Sequence, residues 1–262
     1  MLDAKKTAPA LALLFVVLLG ATTAAPALNP SPFEAKYVLE VGGFAVAETS
    51  WRVERVTDGF IYEKRTTATG IAALFGNRGV VERSEWKLFA GNIKPARYRY
   101  ERHGRPDKTT AIEFDWEDGV VNNNRRGEKS RIAVPDDTLD KLGYMLVLAD
   151  DLRAGKRSVR YNIADGKSKL KVYDFRVIGE EQMATAMGTM KVLKMIRDRK
   201  DSDRETTIWI APALDFVPVR ITHHEPDGEE LTINIRSLTA ALSPKQQEAG
   251  APQSPSHRDS FN

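Results

Sequence analysis

The residues able to do chemistry in this sequence are few and poorly spaced for it. Nucleophilic catalysis needs a Ser or Cys beside a His that an acid orients. This chain has no cysteine, no G-x-S-x-G elbow and only four histidines. His257 sits in a Ser-, Pro- and Gln-rich C-terminal stretch, and His103 precedes the turn-forming run Gly104-Arg105-Pro106, where an exposed loop is expected. His223 and His224 are adjacent, and neighbours on a strand point to opposite faces, so the two cannot share one ion. The i, i+2 or i, i+4 pairs that metals use are absent. Hydrolysis of a glycosidic bond would need two acids facing each other about 5–10 Å apart. Glu113, Asp115, Glu117 and Asp118 cluster, but they alternate with Ile112, Phe114 and Trp116, which is the pattern of a solvated strand face. No glycine loop that could cradle a phosphate is present. The expectation is a protein that is not an enzyme and carries no cofactor or metal.

Three groups are suited to binding instead. Ile71, Leu74 and Phe75 form an apolar cluster between Gly70 and Gly76, in a stretch that should be a polar loop. They read either as a short helix plugging the open end of a sheet or as a lid or membrane-touching loop over a ligand. Arg125, Arg126, Lys129 and Arg131 decorate a polar hairpin, which is a solvated loop or a contact for an anionic lipid headgroup or cell-wall polymer. Arg220 lies between Val219 and Ile221 and faces opposite to both. On a concave surface it would grip an anionic group, and on an ordinary one it would form a cross-strand ion pair.

These groups have to be positioned by strands. FEAKYVLEV alternates apolar and polar residues from Phe33 to Val41, the period of a half-buried strand. Gly42-Gly43, Asp58-Gly59, Gly91-Asn92, Asp118-Gly119, Asp165-Gly166 and Asp227-Gly228 mark hairpin turns between further runs of the same kind. Aromatic residues spaced by two, Tyr98 with Tyr100 and Phe114 with Trp116, fall on common faces as sheet-packing pairs. The reading is mainly β: a large antiparallel meander of roughly a dozen strands forming a barrel or a strongly curved open sheet. One helix is expected near 137–153, with Asp136 and Asp137 as caps, Leu139, Leu142, Leu146 and Ala149 on its apolar face, and Gly155 at its end.

Both ends of the chain read differently. Lys5 and Lys6, the apolar run Leu11 to Leu19 and the small residues around Ala25-Pro26-Ala27 have the order of a secretory signal peptide, with cleavage after Ala27. That run is too short to cross a bilayer, so no integral membrane protein is expected once it is removed. The divisions are a signal at 1–27, a single antiparallel β domain at 28–242 and a disordered tail at 243–262, whose composition offers no core. Without cysteine there is no lipid anchor through sulfur and no disulfide staple. Loss of Asp3, Lys5 and Lys6 lowers the net charge from +3 to +2. That balance, and export to the periplasm, exclude nucleic acid as a partner.

In the second half three runs stand in order: D-x-L-D-K-L-x-Y with L-R-A-G, then G-E-E-x-x-A-T-A-M-G-T-M-K-V-L-K, then T-T-I-W-I-A-P-A-L-D-F-V-P-V-R-I followed by D-G-E-E-L-T-I-N-I-R-S-L. They resemble the bacterial family catalogued as domain of unknown function 3108, over about Phe33 to Leu238. The resemblance implies an exported β-rich protein and supplies no catalytic residue. Two functions follow as expectations. The first is a periplasmic envelope protein that binds or carries a lipid or other amphiphile in its curved sheet. The second is a structural or interaction module with a filled core and a protein or polysaccharide partner. An enzyme acting on cell-wall sugars is a distant third. A lined cavity of about 300 Å³ or more separates the first from the second.

Overall fold

The computed structural model describes residues 28–70, 73, 79–198 and 204–240. Residues 1–27, expected to be a signal, the apolar cluster of Ile71, Leu74 and Phe75, and residues 241–262 lie outside the described residues. Within them the alternating runs become strands β1 (Phe33–Val41), β2 (Phe44–Val56), β3 (Gly59–Ala68), β4 (Val80–Phe89), β5 (Asn92–Arg102), β6 (Thr110–Asp115), β7 (Val120–Arg125) and β8 (Glu128–Ala133). The short β9 (Leu139–Asp140) and the helix α1 (Tyr144–Arg153) follow. The chain then returns through β10 (Ser158–Ala164), β11 (Lys171–Thr185), β12 (Gly188–Asp198), β13 (Glu205–Ala211), β14 (Val217–His224) and β15 (Glu230–Ala240).

All fifteen strands form one sheet in the order β8-β7-β6-β5-β4-β3-β2-β1-β15-β14-β13-β12-β11-β10-β9. Each half is a meander, and the first and last strands pair antiparallel in its middle, Phe33 opposite Ala240 and Val41 opposite Leu231. Among the described residues the only parallel pair is β9 with β10. The sheet is therefore strongly curved but open, with β8 and β9 as its edges. The β10–β11 turn folds over the inner face of the first half: the Asn123 side-chain amide donates to the Lys167 carbonyl at 3.1 Å.

One core fills the roll. From the first half it takes Tyr37, Val53, Phe60, Tyr62, Trp86, Tyr98 and Ile112, and from the second Ile163, Phe175, Met195, Ile208, Ile210 and Ile233. Phe60 stacks on Trp86 at 5.2 Å and Tyr37 lies 4.6 Å from Trp51, cross-strand aromatic pairs of the kind the sequence promised. Helix α1 buries Met145, Leu146, Leu148 and Leu152 against this core. Gly59 and Gly143 permit close approach to Trp86. A Cβ on Gly59 would stand 2.0 Å from the Trp86 carbonyl oxygen, and one on Gly143 would stand 2.5 Å from the Trp86 ring.

The helix is shorter at its start than the expected 137–153. Leu139 and Leu142 have helical spacing, yet Leu139-Asp140 is extended and pairs with Ile163-Ala164. Asp140 is fully buried, and its Oδ1 accepts the Leu142 and Gly143 N–H groups at 2.8 and 2.7 Å, so the turn into α1 is fixed there. Asp136 and Asp137 do not cap: they are exposed, Asp136 paired with Lys94 and Asp137 accepting from Asn162.

Candidate ligand-binding cleft

At one rim of the roll the helix stands away from the sheet and leaves a cleft of about 320 Å³. Its helical wall is Met145, Leu146, Ala149 and Arg153, residues at i, i+1, i+4 and i+8 that share one face of α1. Opposite lies the entry to β14, where a 3-10 turn at Pro212–Leu214 leads through Asp215 and Phe216 into Val217 and Pro218. Leu28, Pro30 and Pro32 run along a third side, and Phe33, Tyr62 and Leu238 belong to strands beneath. The lining is apolar except at Ser31, Asp150, Arg153 and Asp215.

The turn opposite the helix is strained. Asp215 and Phe216 both have positive φ, 54° and 60°, a conformation that costs about 1–2 kcal/mol for a residue with a side chain. Three contacts hold it. The Phe216 N–H donates to the Ala211 carbonyl at 3.1 Å. Arg153 at the end of α1 donates through Nε and Nη2 to Asp215 Oδ1 at 3.2 and 2.6 Å. Its guanidinium also lies 5.7 Å from the Phe216 ring centre. Since Arg153 Nη1 pairs with Asp150 at 2.8 Å as well, the rim carries two carboxylates on one guanidinium.

A second group of polar residues is buried between sheet and helix, and its hydrogen bonds are spent on the fold. Asp140 Oδ2 accepts the Ser84 hydroxyl at 2.5 Å, and Ser84 Oγ in turn accepts the Trp86 indole N–H at 2.7 Å. Burial, only partly offset by the Gly143, Ser84 and Leu142 hydrogen bonds, pushes the Asp140 carboxyl above its usual range, and the nearby Glu82 charge adds to this. Glu82 goes the other way. Burial pushes it up, but Lys64 at 3.2 Å, Lys141 at 3.6 Å and the Tyr98 hydroxyl at 2.7 Å prevail and hold it at about 2. Lys141, the residue after β9, also lies over the Tyr98 and Tyr100 rings at 5.3 and 4.6 Å.

The residues singled out in the sequence do not converge on this cleft. Ile71, Leu74 and Phe75 lie outside the described residues. Arg220 is on the outer face of β14, opposite the core-facing Val219 and Ile221, and its Nε donates to Asn234 Oδ1 at 2.7 Å. Beside it, directly opposite on β13, is Trp209. Its neighbours Ile208 and Ile210 face the core, and the Trp209 indole points outward and donates to Glu181 at 2.6 Å. His223 Nδ1 lies 2.9 Å from the Thr206 hydroxyl and His224 lies 3.4 Å from Glu230, and among the described residues no His, Asp or Glu cluster could hold a metal. Glu113 and Asp118 are exposed and paired with Arg97 and Arg131. The cleft residues had one weak signal in the sequence: the tight turn A-L-D-F between Pro212 and Pro218 contains no glycine, so a bulky residue must take the strained position.

No helix among the described residues is long and apolar enough to cross a membrane. Comparison with known proteins points to fold and family. The family described as "Protein of unknown function (DUF3108)" matches residues 33–236. A β-barrel-like protein of domain of unknown function DUF1849 from Brucella abortus shares the fold at a TM-score of 0.54 and 11% identity, over 82% of this chain and 100% of that one. A protein with a YmcC-like fold from Bacteroides fragilis aligns over 81% of this chain and 98% of its own, at 8% identity and a TM-score of 0.34. No curated protein matches.

Proposed function

This chain belongs to the DUF3108 family of proteins of unknown function, and from its cleft we propose that it is an exported, non-enzymatic envelope protein that binds an apolar or amphiphilic molecule between α1 and the β14 entry. The observation that carries the reading is the cleft itself: about 320 Å³, lined almost wholly by apolar side chains, with its charges confined to the rim. Such a lining orients an amphiphile, tail inward and head at Asp150, Arg153 and Asp215. The N-terminal order of charged, apolar and small residues supports the periplasm as its compartment.

The cleft makes a quantitative demand. Each buried methylene contributes about 0.8 kcal/mol, so affinity for a series of single-chain amphiphiles should rise about fourfold per carbon and level off when the cleft is full. The test starts from protein purified from a periplasmic fraction, whose first residue should be Leu28. A fluorescent fatty-acid probe is displaced by the series, and native mass spectrometry identifies any co-purified lipid. Ala149→Trp, which fills the cleft from the helix side, should abolish probe binding without unfolding the protein. Absence of probe binding by the natural protein, or full binding by the tryptophan variant, would overturn the proposal.

A second reading, a structural or interaction module with a filled core, is favoured by the packing of Tyr62, Trp86, Tyr98 and Phe175 deep in the roll, where the sheet holds side chains instead of a ligand. It predicts no probe binding in the same assay.

A further inference from the structure

We propose that the outer face of strands β13, β14, β15 and β1 is a binding site for an uncharged saccharide chain, separate from the apolar cleft. Register brings its residues together in two ranks. Trp209, Arg220 and Asn234 are directly opposite one another across three strands, and Thr222, Thr232 and Glu40 form the next rank. Side chains directly opposite in neighbouring strands share a face, so both ranks line one shallow groove of about 580 Å³.

The floor and one wall are already ordered for a ligand rich in hydroxyl groups. Arg220 Nε donates to Asn234 Oδ1 at 2.7 Å, and Asn234 Nδ2 donates to Glu40 Oε2 at 3.0 Å, so the three side chains hold one another in place. The Thr222 hydroxyl is buried in the same floor with no hydrogen-bond partner. A buried polar atom left unpaired is costly, and a ligand hydroxyl could satisfy it. Trp209 is the wall. Its indole is fixed from behind, Nε1 donating to Glu181 and Lys194 lying 5.4 Å from the ring centre, while Arg220 is on its groove side at 5.9 Å. An indole beside paired donors and acceptors suits the C–H groups and hydroxyl rim of a pyranose ring.

Charge decides between a saccharide and the anionic group that Arg220 suggested from sequence alone. Arg220 is joined through Asn234 to Glu40, and Glu230 stands beside His224, so the groove sets two carboxylates against one guanidinium. An anion would meet Glu40 and Glu230 as readily as Arg220, whereas a polyol can both donate and accept along the whole rank.

The test is calorimetric titration of the full chain, after export, with maltohexaose and chitohexaose. At least one should bind with Kd below about 10 mM. Trp209→Ala and Asn234→Ala should each weaken binding about tenfold, equivalent to about 1.4 kcal/mol. Ala149→Trp, in the apolar cleft, should leave it unchanged. Thr222→Val keeps shape and removes only the unpaired hydroxyl, so it remains informative if Trp209→Ala fails to fold, and it too should weaken binding. Binding of neither oligosaccharide, or binding indifferent to Asn234→Ala and Thr222→Val, would overturn the site. Binding of inorganic phosphate or a sulfated saccharide that is lost in Arg220→Ala, with none of the neutral chains bound, would overturn the assignment to uncharged saccharide.

Discussion

Replacing Glu82 by glutamine should cost the fold about 3 kcal/mol at neutral pH and almost nothing in acid. The carboxylate is only 12% exposed and receives Lys64, Lys141 and the Tyr98 hydroxyl. Its pKa of about 2 in the folded chain compares with an ordinary 4.5. Each pKa unit corresponds to about 1.4 kcal/mol, so the ionised form is favoured in the folded state by about 3 kcal/mol. The folded value is the lower one. The contribution is therefore complete above about pH 4.5 and is lost as the pH falls towards 2. Asp140, raised by burial, has the opposite sense: its share is fully present below its ordinary value of 3.8 and is lost as the pH rises. It cannot imitate the Glu82 trend. In a domain of this size about 3 kcal/mol lowers Tm by about 10 °C. Urea denaturation of both proteins, followed by circular dichroism from about pH 2.5 to 7, measures the gap between them. A gap below about 1 kcal/mol at neutral pH, or one of equal size at both ends, would refute the electrostatic argument and leave Glu82 as a packing residue.

Two other substitutions test the packing. Trp86→Ala should cost about 3–5 kcal/mol because its indole is buried against Phe60 and Gly143, just before α1, whereas Trp209→Ala on the outer face should cost less than about 1.5; comparable losses in thermal melts would mean that the two faces of β13 have been interchanged. Gly143→Ala should destabilise by about 1–3 kcal/mol, since its Cβ meets the Trp86 ring at 2.5 Å, and the loss should shrink in a Trp86→Phe background; a variant as stable as the parent would show that the helix start can shift.

The meander was legible because hairpins are local. A run of alternating residues and a Gly- or Asp-Gly turn determine a strand and the next without reference to distant chain. What could not be read was anything set by pairing across the molecule. Alternation puts Trp209 opposite Ile208 and Ile210, but which set faces the core depends on β12 and β14, and a bulge at Trp209/Ile210 shifts the register there. The helix start failed for the same reason: the partner that extends Leu139-Asp140 is Ile163-Ala164, and the Ser84 that holds Asp140 is on β4. The cleft combines residues from 28 to 240, so no window of sequence contains it. Arg220 was legible as a residue facing away from the core, but its link through Asn234 to Glu40 was not, because Glu40 is 194 residues from Asn234.

The pairing of β1 with β15 sets the order in which this fold can assemble. Hairpins of each half can form as soon as their residues meet, but the strand pair at the centre of the sheet has to wait for the last strand of the domain. Contacts of such high sequence separation slow folding, because the chain loses most of its freedom before they form. Until then β1 and β15 are open edges, the most association-prone surfaces a β protein has. A chain joined through its present ends and opened between β8 and β9 would run through all fifteen strands as neighbours in sequence. The sheet would be the same, and its strand pairing of greatest sequence separation would be gone.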